Sequence, residues 1–220
     1  FKYLFSTSFS EKHLIVLGIN DLIYLENKSK IFNTLVVVNK HLDIVDLYRK
    51  NYLVPFGEFL PLENYLNKLG LRSISHGYES FSGSEKREII NLENRNFSLK
   101  FLPLICYEII YSGKLSKNNN FDLIINISED GWFGKSIGPH QHFSHSIFRA
   151  IEEGKNIVRS SNNGISAYIN SRGRVLDKIE STKSSVIEII NLDKQKETIF
   201  STIGNNIFFY LLIIYISFVF

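Results

Sequence analysis

The stretch Phe97–Glu108, which reads FSLKFLPLICYE, carries the only cysteine of the chain at the end of an apolar run. An apolar run of this length that ends in polar residues is typical of a buried strand followed by a turn. The carboxyl ends of such strands are where many α/β folds place their functional groups. The stretch therefore predicts a strand over Phe97–Ile105, with Cys106 accessible at the edge of a sheet.

Further strands and helices alternate along the rest of the chain. Apolar, β-branched runs predict strands at His13–Ile19, Ile31–Val38, Asp43–Tyr48, Phe121–Ile127 and Ser166–Asn170, and similarly at Ser185–Leu192. A helical pattern covers Leu60–Leu69, and Gly70 marks its end. A second helical pattern covers Gln141–Gly154, and its apolar face comprises Phe143, Ile147, Ala150 and Ile151. The polar segment Ser73–Glu93 predicts a surface excursion. This mixture favours an α/β or layered α+β domain.

Composition narrows the possible functions. The hydrophobic fraction of 44% is enough for a sizeable core in 220 residues. The net charge of +3 is mild, and no basic block with interleaved aromatic residues is present, so nucleic-acid binding is not predicted. A single cysteine excludes an intramolecular disulfide and a multi-cysteine zinc site. His140, His142 and His145 cluster without a carboxylate or cysteine at helical spacing, so no metal site is predicted.

The last residues form an apolar segment. Ile207–Phe220 reads IFFYLLIIYISFVF and has no polar face. As a helix, this segment spans about 21 Å, short of a hydrocarbon core of about 30 Å. We expect residues 1–196 to form one domain, 197–206 a linker and 207–220 the start of a transmembrane helix, with a buried terminal helix or strand as the alternative. The chain contains no methionine and opens on Phe1, so it is expected to be a fragment or a processed product.

Three residue types suggest cysteine chemistry. Cys106 becomes a nucleophile only as a thiolate, which a nearby cation favours. Lys50 follows a predicted strand and precedes a loop with Pro and Gly, so its ammonium is a candidate for this role and for oxyanion stabilisation. Glu58 is a candidate to hold that ammonium or to act on the substrate, and the amide of Tyr107 is a candidate oxyanion donor. The alternatives are a buried, inert cysteine, a solvated lysine and a solvated loop carboxylate.

Two more residues are candidates to support such a site. Glu108 follows the cysteine closely, and its alternative interpretation is a charge at a helix N-terminus. Trp132 lies in the stretch DGWFG, Asp130–Gly134, which predicts either a loop that carries aromatic side chains near a site or a loop anchored in the core.

Together these motifs resemble apolipoprotein N-acyltransferase over nearly the whole chain, in its C-terminal carbon-nitrogen hydrolase (nitrilase-like) domain. The matching stretches are Lys50–Pro61, Ile105–Glu108, Asp130–Pro139, Gln141-His142, Arg149-Ala150 and Asn162-Asn163-Gly164. The resemblance implies a four-layer αββα sandwich, anchored in a bacterial inner membrane and facing the periplasm. Glu129 departs from the family, which usually has asparagine at this position.

The resemblance also implies a reaction and its residues. A cysteine thiolate takes a fatty acyl chain from a phospholipid, and the N-terminal amine of a diacylglyceryl-cysteine lipoprotein then receives it, with no metal or diffusible cofactor. In the family's Glu-Lys-Cys triad, the lysine matches Lys50 and the cysteine Cys106, while the glutamate would fall before Phe1. The isolated chain is therefore expected not to catalyse acyl transfer. Glu58, Tyr107, Glu108 and Trp132 match further active-site positions.

Two other functions remain open. One is a soluble nitrilase-like amidase that acts on small C–N bonds with the same triad. The other is a degenerate, membrane-tethered binding domain without catalysis.

Overall fold

The computed structural model describes residues 2–25, 28–62, 65, 80–93, 97–113, 115–116, 119–192 and 197–219. The chain divides into two compact units, residues 1–90 and 91–220. Each unit contains a β-sheet and at least one helix, which confirms the predicted α+β class.

The first unit is built on an antiparallel sheet. A short helix, α1 (Lys2–Ser8), precedes β1 (Ile15–Leu25), β2 (Lys28–Val38) and β3 (Ile44–Arg49), which pair in the order β1-β2-β3. The central strand contributes the buried run Leu35–Val38, as expected for β-branched and aliphatic residues on a covered sheet. Lys50 follows directly after the last residue of β3.

The second unit contains a six-stranded mixed sheet. Its strands are β4 (Ile90–Glu93), β5 (Ser98–Ile105), β6 (Leu123–Glu129), β7 (Asn156–Asn162), β8 (Ser166–Ile169) and β9 (Val175–Ile179), in the order β4-β5-β6-β7-β8-β9. The strands β5, β6 and β7 are parallel, whereas β8 and β9 add antiparallel. Because parallel strands end at the same edge, the residues that follow β5, β6 and β7 gather there.

One long helix follows β6 in this unit. Helix α2 (Gly138–Glu153) begins with Pro139 in its first turn and ends at Gly154, which is left-handed with φ 63°. Its buried face is unexpectedly polar: it comprises His142, Phe143, Ser146, Arg149, Ala150 and Glu153. The predicted face was therefore only partly right, since Phe143 and Ala150 are buried but Ile151 is 46% exposed.

The segment after residue 197 is anchored to the second unit. Helix α3 (Ile199–Ile203) is capped by Thr198, whose hydroxyl accepts from the Ser201 N–H at 2.9 Å and donates to the Glu152 carbonyl. Asn119 donates to the Ser201 carbonyl at 2.9 Å, and Asn205 donates to the Ser112 carbonyl at 3.1 Å. The segment predicted as a linker thus contains a docked helix.

The last element is helix α4 (Asn206–Val219), which is 14 residues long. Its apolar side chains are exposed along nearly its whole length. Within the described part of the chain, no helix combines the length and the apolar character needed to cross a membrane.

Several predicted elements are confirmed and others are wrong. The strands around Ile31–Val38, Asp43–Tyr48, Phe97–Ile105, Phe121–Ile127 and Ser166–Asn170 are observed within a few residues, and the strand predicted at His13–Ile19 extends to Leu25. The strand predicted at Ser185–Leu192 is absent, and Val186 and Ile190 in it are more than 80% exposed. The helix predicted at Leu60–Leu69 falls mostly outside the described residues, as does the start of Ser73–Glu93, whose end forms β4.

The buried Glu153 makes the stability of the second unit depend on pH. Burial raises the pKa of Glu153 to about 7, against an opposing hydrogen bond from the backbone of Leu115. Because the unfolded carboxyl titrates near 4.5, the native state binds more protons between these values. The free energy of unfolding therefore falls as the pH rises through this window, by on the order of 3 kcal/mol in total.

We expect Glu153→Gln to remove this loss. The variant should match the wild type at pH 4.5 and exceed its free energy of unfolding at pH 8, because the amide stays neutral in the same space. Urea unfolding at the two pH values measures the difference. The exposed Glu188→Gln serves as the matched control. A pH-independent difference between wild type and Glu153→Gln would contradict the assignment.

Candidate active site

Cys106 lies at the turn that follows β5, where its backbone adopts a left-handed conformation with φ 49°. For a residue with a Cβ, this conformation costs about 1–2 kcal/mol. The thiol is half-buried, and its Sγ lies 4.0 Å from the Glu129 carbonyl oxygen at the end of β6. A nucleophilic cysteine is expected in this arrangement, with a strained backbone at the carboxyl edge of parallel strands.

The turn itself is held by a buried carboxylate. The residues Cys106–Ile110 form a 3₁₀ helix, and the side chain of Glu108 accepts from the Ile105 backbone N–H at 2.8 Å. Glu108 is fully buried, so it is not a solvated charge at a helix terminus. Tyr107 packs edge-to-face on Tyr111, with ring centroids 5.5 Å apart. The Glu108 carboxylate therefore links Ile105 to the 3₁₀ helix that begins at Cys106.

A network of buried polar side chains lies behind this turn. Asp130 Oδ2 accepts from Arg159 Nη2 at 2.8 Å, and Asp130 Oδ1 lies 2.8 Å from His142 Nδ1. Arg159 also donates to Asn126 Oδ1 and to the Ile165 carbonyl. The other ring nitrogen of His142, Nε2, lies 3.2 Å from the Cys106 carbonyl oxygen. The network thus connects β6, β7 and α2 to the backbone of the cysteine.

The partners of Asp130 in this network keep its carboxylate ionised. Burial alone would raise the pKa of Asp130, but the hydrogen bond from His142, the charge of Arg159 and the hydrogen bond from Ser128 together hold it well below its usual range. Burial lowers the pKa of Arg159, and the Asp130 carboxylate opposes that effect. A buried carboxylate with two cationic partners and several donors stays ionised.

The loop after β6 is fixed at its base and exposed at its tip. The Glu129 carboxylate accepts from the Gly131 backbone N–H at 2.7 Å and from the side-chain amides of Asn162 and Asn163. Trp132 is 70% exposed and Phe133 is 40% exposed. Trp132 is therefore not anchored in the core, and the loop carries both aromatic side chains exposed.

A second cluster lies in the first unit and is formed by Lys50 and Glu58. The Lys50 ammonium is fully buried and donates to both Glu58 oxygens at 2.8 Å. Glu58 also accepts from Asn33 Nδ2 at 3.1 Å and from the Val54 backbone N–H at 2.9 Å. Neither residue is a solvated surface charge, and Glu58 holds the ammonium in place as one alternative anticipated.

The sequence missed the residues behind the cysteine. Asp130 and His142 belong to the stretches Asp130–Pro139 and Gln141-His142, which carry the resemblance. Arg159 lies in a strand that was not predicted. His142 was considered as a metal ligand together with His140 and His145, and as part of the matching stretch Gln141-His142. Among the described residues, no group of three potential ligands is arranged to hold a metal ion. Its actual partners are Asp130 and the Cys106 carbonyl.

Comparison with known proteins gives the family. The family model of carbon-nitrogen hydrolase matches residues 6–198. An apolipoprotein N-acyltransferase from Rickettsia prowazekii is 36% identical over 194 residues, which cover 87% of this chain and 38% of the relative. One from Wigglesworthia glossinidia brevipalpis is 37% identical over 204 residues, covering 88% of this chain and 37% of the relative. The resemblance seen in the motifs is thereby confirmed, and the chain spans less than two fifths of these relatives' length.

Solved structures give the fold. An amidase from Nesterenkonia sp. AN1, with the acetamide moiety of fluoroacetamide added covalently at its active-site cysteine, matches with a TM-score of 0.51 at 14% identity. The match covers 76% of this chain and 57% of that chain. Another structure of this amidase, described as a member of the nitrilase superfamily, gives a TM-score of 0.50 at 14% identity, covering 76% of this chain and 58% of that one. With a nitrilase-like α+β fold and a family match over most of its length, the chain belongs to the carbon-nitrogen hydrolase family.

Proposed function

We propose that this chain is the catalytic domain of an apolipoprotein N-acyltransferase. The reaction moves a fatty acyl chain from a phospholipid, through a cysteine thioester, to the N-terminal amine of a diacylglyceryl-cysteine lipoprotein. The left-handed, half-buried Cys106 carries the proposal, because it is the strained thiol at the edge of three parallel strands. The names of the two bacterial relatives support the choice of substrates.

Cys106 is the nucleophile in this proposal. Its thiolate attacks the ester carbonyl of the phospholipid and forms a tetrahedral oxyanion. The oxyanion collapses to the thioester as the ester C–O bond breaks, and the lysophospholipid leaves as an alcohol that takes the proton given up by the thiol. The lipoprotein amine then attacks the thioester carbonyl and loses a proton, and the thiolate leaves as the amide forms. Two such steps replace one direct transfer with a higher barrier. The resemblance assigns the proton acceptor to the glutamate of the family's triad.

Four further residues support the reaction in this proposal. The resemblance assigns Lys50 to offset the oxyanion charge, and a desolvated ammonium stabilises developing negative charge far better than a solvated one. Glu58 holds that ammonium in place through its two contacts of 2.8 Å. Glu108 fixes the turn, and the backbone N–H of Tyr107 is the second oxyanion donor.

The exposed apolar side chains of α4 and the exposed Trp132 are consistent with a protein that contacts a membrane. We propose that α4 is the start of a transmembrane helix and that Trp132 lies near the lipid headgroups, where aromatic side chains accumulate. The domain would then face the periplasm from a bacterial inner membrane. The acyl donor would reach Cys106 without leaving the bilayer surface.

Acyl labelling of the full-length protein tests the proposal. Reconstituted in phospholipid vesicles whose acyl chains are isotopically labelled, the protein should carry the label on the Cys106 peptide. Hydroxylamine, which cleaves thioesters, should release it. A synthetic diacylglyceryl-cysteine peptide should discharge the label and gain it as an amide, and mass spectrometry reads both products.

The other outcomes identify the alternatives. Ammonia release from a small amide such as butyramide, with no label on Cys106, would establish the amidase. Binding of the lipopeptide without label or ammonia would establish a binding domain. Either outcome would overturn the acyltransferase.

A further inference from the structure

The peptide group that joins Cys106 to Tyr107 is held on one side by a histidine. Its carbonyl oxygen lies 3.2 Å from His142 Nε2. The peptide bonds of the described residues are all trans. In a trans peptide the C=O and the N–H point in opposite directions within one plane. Whatever fixes the Cys106 carbonyl therefore also fixes the direction of the Tyr107 N–H.

The protons on His142 follow from its two neighbours. A carbonyl oxygen only accepts, so Nε2 carries a proton and donates to Cys106. The Asp130 carboxylate also only accepts, and at 2.8 Å it is closer to Nδ1 than Arg159 Nη2, which lies at 3.2 Å. Nδ1 therefore donates to Asp130, and His142 is an imidazolium.

Charged and aromatic groups surround His142. The ring is 4% exposed and contacts the ionised Asp130, and it lies tilted against the ring of Phe133, whose centroid is 5.6 Å away. The other charges near it are the Arg159 guanidinium, which pairs with Asp130, and His145, whose pKa burial lowers first and nearby positive groups lower further. The buried pair of Asp130 and His142 thus presents a charged donor to the Cys106 carbonyl.

We propose that His142 is a positioning residue whose Nε2–H orients and polarises the Cys106–Tyr107 peptide, so that the Tyr107 N–H is a strong, fixed donor to the oxyanion. A charged donor on the carbonyl oxygen increases the polarity of the N–H at the other end of the same amide. The inference rests on the proposed acyl transfer, in which an oxyanion forms. It assigns a catalytic contribution to Asp130 and Arg159 through His142.

Two isosteric substitutions separate this role from simple packing. In His142→Asn the side-chain amide nitrogen takes the position of Nδ1, so it keeps the contact with Asp130 and loses the contact with Cys106. In His142→Gln the amide nitrogen takes the position of Nε2, so it keeps a donor on the Cys106 carbonyl. The exposed His140→Leu, on the same helix, is the control.

Two reactions of Cys106 in the full-length protein provide the readout. Acylation by p-nitrophenyl acetate passes through an oxyanion, whereas alkylation by iodoacetamide is a direct displacement without one. Removing an oxyanion donor costs about 10²–10³ in rate, so a weakened donor should cost about tenfold. We expect His142→Asn to slow acylation about tenfold while alkylation changes less than about twofold. His142→Gln should recover most of the acylation rate.

The opposite pattern overturns the inference. If His142→Asn acylates as fast as wild type and His142→Gln does not, His142 acts only through Asp130. A parallel loss of acylation and alkylation would show that the turn, not the donor, is affected. Because the ester and iodoacetamide need neither phospholipid nor lipoprotein, the ratio of the two rates is measurable even if acyl transfer from lipid is not observed.

Discussion

Cys106→Ser is expected to abolish thioester formation and acyl transfer while leaving the fold intact. Serine keeps the Cβ and the size of the side chain, so the left-handed turn and its contacts persist. Its hydroxyl is a much weaker nucleophile than a thiolate, since a free cysteine already has a few per cent thiolate at neutral pH. We expect the acyl transfer rate to fall by about 10³ or more. The labelled-vesicle assay measures the loss, and a thermal melt measures the fold.

Cys106→Gly completes this test. It removes the nucleophile as serine does, but glycine adopts φ 49° without the penalty that a Cβ brings. We expect it to be inactive and to have a free energy of unfolding about 1 kcal/mol higher than that of Cys106→Ala. An active Cys106→Ser variant would exclude the thioester mechanism. A glycine variant less stable than the alanine variant would exclude backbone strain at this residue.

Arg159→Met is expected to destabilise the second unit by about 3–5 kcal/mol. Both Arg159 and its partner Asp130 have fully buried side chains. Methionine fills similar space but leaves the Asp130 carboxylate without its guanidinium, and it removes the donors to Asn126 and to the Ile165 carbonyl. Uncompensated buried charge is among the most destabilising of single changes. Urea unfolding measures the difference.

A double variant and a surface control make the Arg159 result specific. Asp130→Asn combined with Arg159→Met removes both charges, so it should recover part of the loss. Arg172→Met, on an exposed arginine, should change the free energy of unfolding by no more than about 0.5 kcal/mol. A loss below about 1 kcal/mol for Arg159→Met would show that Asp130 is not buried as a charge.

The sequence predicted the elements that follow simple hydrophobic patterns. The apolar runs of β5 and β6 are parallel strands that are buried over part of their length, and such strands read as continuous apolar segments. Their position placed Cys106 at a strand end, where its thiol is half-buried. The strand predicted at Ser185–Leu192 failed because apolar, β-branched residues form a strand only where another strand pairs with them.

The buried polar residues explain what the sequence did not predict. Strand β7 was missed because Asn156 and Arg159 occupy buried positions where an apolar residue was expected. The face of α2 was misplaced for the same reason, since His142 and Glu153 are buried in it. The partners of His142 are 12 and 36 residues away in the chain, at Asp130 and Cys106, and no spacing rule links them.

The order of the strands bears on how this chain is made. In the second sheet every strand pairs with its neighbour in sequence. The sheet can therefore grow one strand at a time as the chain leaves the ribosome, at about 5–20 residues per second. The apolar helix α4 is synthesised after the nine strands of the described residues. Both sheets can therefore form before the exposed apolar side chains of α4 leave the ribosome.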